Sequence, residues 1–263
     1  MGKRLSFPTR SFGSDPTTPD PAMISRWISE RRGREGDLTS FFLEQGILPQ
    51  IKAGISLPCA GGKLYQERWK EAFTGLDGQY ITGEIGVNPR DIIRDAGDLV
   101  SLSKDLWIAV PAPHQLGFED RYYGDREESD HALFGGYKSL MREHRDAGLG
   151  GHVLLCDTLY REELEILAGR KVFFYAPSLN RKSLGVLLEY QQTIALAPGD
   201  LPLLSDLIEE YEVHRIVLLD AEEQDFRQAL AIRDPDQILS GGYCRSSCAE
   251  YWKNLMEKSS ILK

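Results

Sequence analysis

His152-Val153-Leu154-Leu155-Cys156, Val172-Phe173-Phe174-Tyr175, Thr193-Ile194-Ala195-Leu196-Ala197 and Ile216-Val217-Leu218-Leu219 are four short apolar runs that recur about every 21 residues. Between them lie helical stretches at residues 161–168, 179–190, 201–211 and 221–231. The runs are continuous rather than alternating, as expected of strands buried on both faces. Strand–helix–strand order predicts parallel strands joined by crossover helices. Residues 236–239 add a last short strand, and 246–258 a closing helix.

Working outward towards the N-terminus, the pattern loosens. Strands are predicted at 51–57, 79–85 and 106–110, with helices at 63–73, 88–97 and 129–146 and a long polar loop at 111–128. Residues 1–18 carry Pro8 and Pro16 and are expected to be disordered, and 19–48 to form a helical extension with Asp37 as a cap. The fold class is therefore α/β, a parallel sheet with crossover helices. The short repeat unit favours an open three-layer α/β/α arrangement, with a (β/α)8 barrel as the alternative. The expected division is an α/β domain over 49–178 and a C-terminal α/β region over 179–263.

The 263 residues are 41% hydrophobic, enough for a sizeable core. No apolar run reaches the roughly 18–20 residues needed to span a bilayer, and no apolar leader opens the chain, so a cytoplasmic protein without a membrane partner is expected. A net charge of −9 argues against an extended basic surface for nucleic acid. Four cysteines are too few for a disulfide scaffold and read as free thiols or metal ligands.

In parallel α/β folds, function gathers at the C-terminal strand ends. Those ends carry Lys63, Asn88, Arg90, His114, Cys156 with Asp157, Tyr175, Ser178, Asp200, Asp220 with Glu222, and the stretch from Ser240 to Cys244. The loop around His114 mixes acids with Tyr122 and Tyr123, a setting for a planar ligand. Gly61-Gly62 would let a ligand approach the backbone closely. Cys59, His114, Cys156 and Cys244 would make a metal set if one sheet gathered them, whereas separate buried thiols are the bland reading. No Walker loop, nucleophile elbow or dinucleotide fingerprint is present.

Pro58-Cys59-Ala60-Gly61-Gly62-Lys63-Leu64-Tyr65 resembles the P-C-x3-K-P-Y segment of archaeosine synthase, a family related to the archaeal tRNA-guanine transglycosylases. About twenty residues on, Ile81-Thr82-Gly83-Glu84-Ile85-Gly86-Val87-Asn88-Pro89-Arg90-Asp91 resembles that family's S-P-L-G-V-V-P-R-E stretch. The likeness covers about residues 50–180. It implies an open sheet, and a pocket for a 7-deazaguanine-type base or tRNA base. Cys59 and Lys63 would be catalytic, and Tyr65, Asn88 and Arg90 would bind the ligand; the strand ends add His114 and Asp157. The expected function is nucleobase binding or tRNA-base modification by a transferase, with no cofactor assigned. A non-catalytic subunit with a protein partner, and a cysteine/histidine metalloenzyme, are the alternatives.

Overall fold

Each of the four apolar runs contains a strand in the computed structural model, which describes residues 4–31 and 36–262. In chain order the wall strands are β1 (Thr9–Ser14), β2 (Cys59–Gly61), β3 (Trp107–Pro111), β4 (Gly151–Leu155), β5 (Val172–Tyr175), β6 (Thr193–Leu196), β7 (Arg215–Leu219) and β8 (Ile238–Cys244). Strands β2-β3-β4-β5 form one parallel sheet and β6-β7-β8-β1 another. The two meet at β1 and β2, where Ser11 N–H donates to Leu57 O and Leu57 N–H to Thr9 O. The α/β class with parallel strands and crossover helices is as the apolar runs predict.

The sheet is not open. Laid flat, this order would hold β1 four strand spacings, roughly 19 Å, from β5. Instead the Phe12 ring stacks on Tyr175 at 4.6 Å and touches Phe173 at 5.0 Å. The wall closes on itself as a (β/α)8 barrel, with Phe12, Cys59, Ala109, Val153, Phe173, Ala195, Val217 and Leu239 filling the lumen, one from each strand. Units of about 21 residues suffice because the crossover helices are short: Arg161–Leu167, Arg181–Leu188 and Glu223–Ala229 make only about two turns each. Such a helix rises about 11 Å, close to the roughly 13 Å of a four-residue strand.

Two seams join the half-barrels, and a glutamine closes each. At the β1/β2 seam, Gln50 Oε1 accepts from Cys59 N–H at 2.8 Å and Nε2 donates to Cys59 O at 2.8 Å. At the β5/β6 seam, Gln191 Oε1 accepts from Phe174 N–H at 2.7 Å and Nε2 donates to Phe174 O at 3.2 Å. Each carboxamide stands in for the peptide group of a missing strand neighbour and satisfies a buried backbone pair. Below the second seam, a cavity of about 790 Å³ opens at the N-terminal end of the barrel. There Arg10 floors the lumen, its guanidinium 4.3 Å from the Phe173 ring and 4.7 Å from the Trp107 ring; burial lowers its pKa to about 10.

Three expectations need correction. Part of the segment 1–18, expected to be disordered, is β1 itself. Its outward side chains are polar yet buried: Thr9 bonds Ser56 and Met256, while Arg10 and Phe12 turn inward, so no apolar run marks the strand. Residues 51–57 are not a strand. Helix Leu38–Ala53, capped by Asp37 through Ser40 N–H, runs past Gly46 and Pro49 because Leu43, Ile47 and Gln50 bury that face, and it stops at left-handed Gly54. The strand expected at 79–85 lies in a hairpin, Phe73–Asp77 with Tyr80–Val87, outside the barrel. Residues 1–3 of the expected disordered segment and 32–35 of the expected helical extension lie outside the described residues. Among the described residues, no helix is long and apolar enough to cross a membrane.

The Gly61-Gly62 turn ends β2. Gly61 has φ +72, and a Cβ there would sit 2.4 Å from Ala109 O. These glycines admit neighbouring protein atoms rather than a ligand. Gly61→Ala is expected to cost roughly 3 kcal/mol or more, since strain and a backbone clash add. Gly54→Ala, left-handed at φ +81 but in open space, should cost only about 1 kcal/mol. Urea midpoints of the two variants test this; equal losses would refute the close approach at Gly61.

Candidate functional site

The C-terminal strand ends converge on a cavity of about 240 Å³. β1 delivers Asp15, the β2 turn Lys63, and the segment after β3 Gln115, with His114 behind it bonded to Asp157. β4 delivers Cys156 and Asp157, β5 Tyr175 and Pro177, and β8 Tyr243 and Arg245. Two carboxylates, an ammonium, a guanidinium and two phenols thus line one small space above an apolar floor of Leu155 and Tyr175.

The phenols are fixed. Tyr243 stacks over Tyr175 at 6.1 Å, nearly parallel, and its oxygen accepts from Lys63 N–H at 3.1 Å. Burial, then the neighbouring Asp15, pushes the Tyr243 hydroxyl far up; burial, then Asp220, raises Tyr175 to about 12. Both therefore remain protonated donors at neutral pH.

Asp157 is held by a relay. His114 Nε2 lies 2.6 Å from Asp157, and Nδ1 lies 2.9 and 3.0 Å from the two oxygens of Glu163, a buried carboxylate that also accepts the His114 backbone N–H at 2.7 Å. With an acceptor at each ring nitrogen, the stable form is the imidazolium. Burial opposes that charge, but the carboxylates outweigh it and raise the His114 pKa. Hydrogen bonding to His114 in turn lowers Asp157 and keeps it ionised. Gln115 completes the bracing: oriented to satisfy both ends, its amide nitrogen donates to Leu155 O and its oxygen accepts from Asp157 N–H, each at 2.9 Å.

Of the residues expected at the site, the structure gathers Lys63, His114 and Asp157 at this mouth, with Cys156 at its edge. The others lie elsewhere. Cys59 points into the lumen, fully buried, its thiol near Ala60 O and pushed far up by burial. It is the first residue of β2, so Cys59-Ala60-Gly61 of the motif form a strand rather than the turn after one. Tyr65 is buried behind the wall, its hydroxyl donating to Asp95, which also binds Arg68. Asn88 and Arg90 are exposed where the outer hairpin meets helix Arg90–Val100. The proposed metal set fails: Cys59 sits in the lumen and Cys244 pairs with Cys248, and no group of three or more His, Cys, Asp or Glu among the described residues could hold a metal. Asp15, Arg245 and Glu163 were not anticipated. Asp15 follows an unrecognised strand, Arg245 lies one residue beyond the flagged stretch, and Glu163 reads as an ordinary acid in a helix's first turn.

No family model matches the chain, and no curated protein matches it. Solved structures do. A B12-independent methionine synthase-like protein from Listeria monocytogenes matches at 14% identity over 94% of both chains, with a TM-score of 0.55. A B12-independent methionine synthase from Shewanella sp. W3-18-1, in complex with selenomethionine, matches at 13% identity over 97% of this chain and 96% of that one, with a TM-score of 0.57. The resemblance to archaeosine synthase is overturned by these whole-length matches and by the closed barrel. The nucleobase pocket and tRNA-base modification it implied fall with it. At these identities the likeness is one of fold, and the chain has the fold of B12-independent methionine synthase-like proteins.

Proposed function

We propose that the barrel mouth binds a small zwitterion of the amino-acid class. The observation that carries this is the pairing of opposite charges, Asp15 and Asp157 with Lys63 and Arg245, around one cavity with an apolar floor. A carboxylate suits the two cations, Arg245 offering a bidentate fork. An ammonium suits Asp157, held ionised by His114. The volume is below the roughly 300–1,000 Å³ of drug-sized pockets and favours a small metabolite. A fold neighbour bound to selenomethionine makes sulfur-containing amino acids the first ligands to try.

Ligand-induced thermal stabilisation tests the reading with L-methionine, L-homocysteine and L-glutamate, each beside its N-acetyl and amide derivatives. At least one free amino acid is expected to stabilise the protein. Blocking either end, or changing Asp157→Asn or Arg245→Ala, should weaken binding roughly tenfold or more. Equal binding of blocked and free forms, or no binding by any amino acid, would refute the zwitterion site.

A further inference from the structure

Cys244 ends β8, and Cys248 opens helix Cys248–Lys258. The three residues between them turn tightly, with Ser247 in the left-handed region at φ +50. That turn brings the two sulfurs to 2.8 Å, within about 1 Å of disulfide bonding distance. Cys244 donates and Cys248 accepts; the Cys244 proton also faces Ser246 O at 3.1 Å. The pair is unsymmetrical. Cys244 is fully buried, whereas Cys248 keeps 7% of its surface exposed beside an exposed loop. The hydrogen bond from Cys244 favours charge on the Cys248 sulfur, as does its place at a helix N-terminus. Cys59 and Cys156 are buried, and each thiol donates to a backbone carbonyl; among the described residues no thiol–thiol contact is seen for either.

We propose that Cys244 and Cys248 are a redox-active dithiol that hydroperoxides close to a disulfide, with Cys248 the attacking sulfur. The Cys248 thiolate attacks the terminal oxygen of hydrogen peroxide, the O–O bond breaks, and the departing hydroxide takes up a proton as water. This leaves a sulfenic acid on Cys248. The Cys244 sulfur then attacks Cys248, the S–O bond breaks, and a second water leaves with the Cys244 proton. Two thiols and one peroxide become one disulfide and two waters, the peroxide being the two-electron oxidant.

The test uses the full chain and hydrogen peroxide. Arg245 lies between the two cysteines, so trypsin cuts there and a disulfide appears as two peptides joined, shifted by the loss of two hydrogens and separated by reductant. This bridge is expected to form roughly tenfold or more faster than any oxidation of Cys59 or Cys156, which serve as internal standards. In Cys244→Ser, a sulfenic acid on Cys248 should accumulate and be trapped by dimedone; in Cys248→Ser, Cys244 should stay reduced. The wild-type bridge is read without either variant, so a misfolding variant does not rescue the idea. Two free thiols persisting while methionines oxidise would overturn it. Sulfenylation of Cys244 in Cys248→Ser would overturn the assignment of the attacking sulfur.

Discussion

Gln50→Leu is expected to lower the free energy of unfolding by roughly 3–5 kcal/mol, read as a fall in urea midpoint at unchanged slope. The leucine has similar bulk and is welcome on a buried helix face. What it removes is the bond pair to Cys59 N–H and O, at a seam where no strand offers replacements. Gln50 is fully buried, so water cannot take over, and each stranded group costs about 1–3 kcal/mol. Losing the contacts to Gly46 O and Ser14 Oγ adds to this. Gln50→Glu should not rescue stability, because a carboxylate accepts from Cys59 N–H but gives nothing to Cys59 O. Gln191→Leu should cost less, about 1–3 kcal/mol, because residue 191 itself lines the cavity at that seam, where water can enter as the side chain is replaced. Equal, small losses at both seams would mean that the strands close up without their glutamines.

Acid should destabilise the fold well before the carboxylates titrate. His144 and His152 are fully buried, rings parallel at 5.4 Å, with His144 Nδ1 3.2 Å from His152 Nε2. One tautomer donates and the other accepts, so the pair is satisfied only when neutral at that contact. Burial pushes His144 down to about 3; burial, then the neighbouring His144, pushes His152 well below its ordinary value. The unfolded chain binds these protons near pH 6.5 and the folded one does not. Their stabilising contribution is therefore complete above pH 6.5 and is lost as pH falls from there towards 3. Between about pH 6.5 and 4.5 the loss should be roughly 2–5 kcal/mol. Two groups work against it. His114, with its pKa raised, adds stability below pH 6.5 that disappears as pH rises through its folded value; Asp95, raised to about 6 by burial, binds its proton more readily in the folded state. A His144→Leu/His152→Leu double variant isolates the pair, since the other groups remain. Its urea midpoint should fall less steeply with acid than that of the wild type; identical slopes would remove the histidines from the account.

Much of the wall is legible in the chain because strands buried on both faces must be apolar throughout, as in Val172-Phe173-Phe174-Tyr175. β1 and β2 escape that rule for separate reasons. β1 turns Thr9 and Ser11 outward into hydrogen bonds, and β2 is Cys-Ala-Gly, small enough for a glutamine to enter the seam. With β1 unread and β2 misplaced to 51–57, the barrel stands only as the alternative, and the short repeat unit tips the reading towards an open sheet. The site follows the same division. Lys63, His114 and Asp157 are readable as the polar residues at or just beyond strand ends. Asp15 is lost with β1. Glu163 gains its role only when the barrel's curvature sets the helix after β4 against the end of β3, a contact between residues far apart in sequence.

The pairing of β1 with β8 has a consequence for how the chain is made. The half β2–β5 has its partners close together and is complete once Tyr175 is synthesised. β1 precedes that half in the chain, but its parallel neighbour Ser240–Cys244 follows long after it. So does the segment Ser260–Leu262, which holds Arg4–Ser6 in an antiparallel clasp. Residues 9–14 therefore meet Leu57 early but wait for β8, along their other edge, until the half β2–β5 has been made. Their sparse apolar content, which conceals β1 in the sequence, keeps that waiting strand from becoming a seed for aggregation.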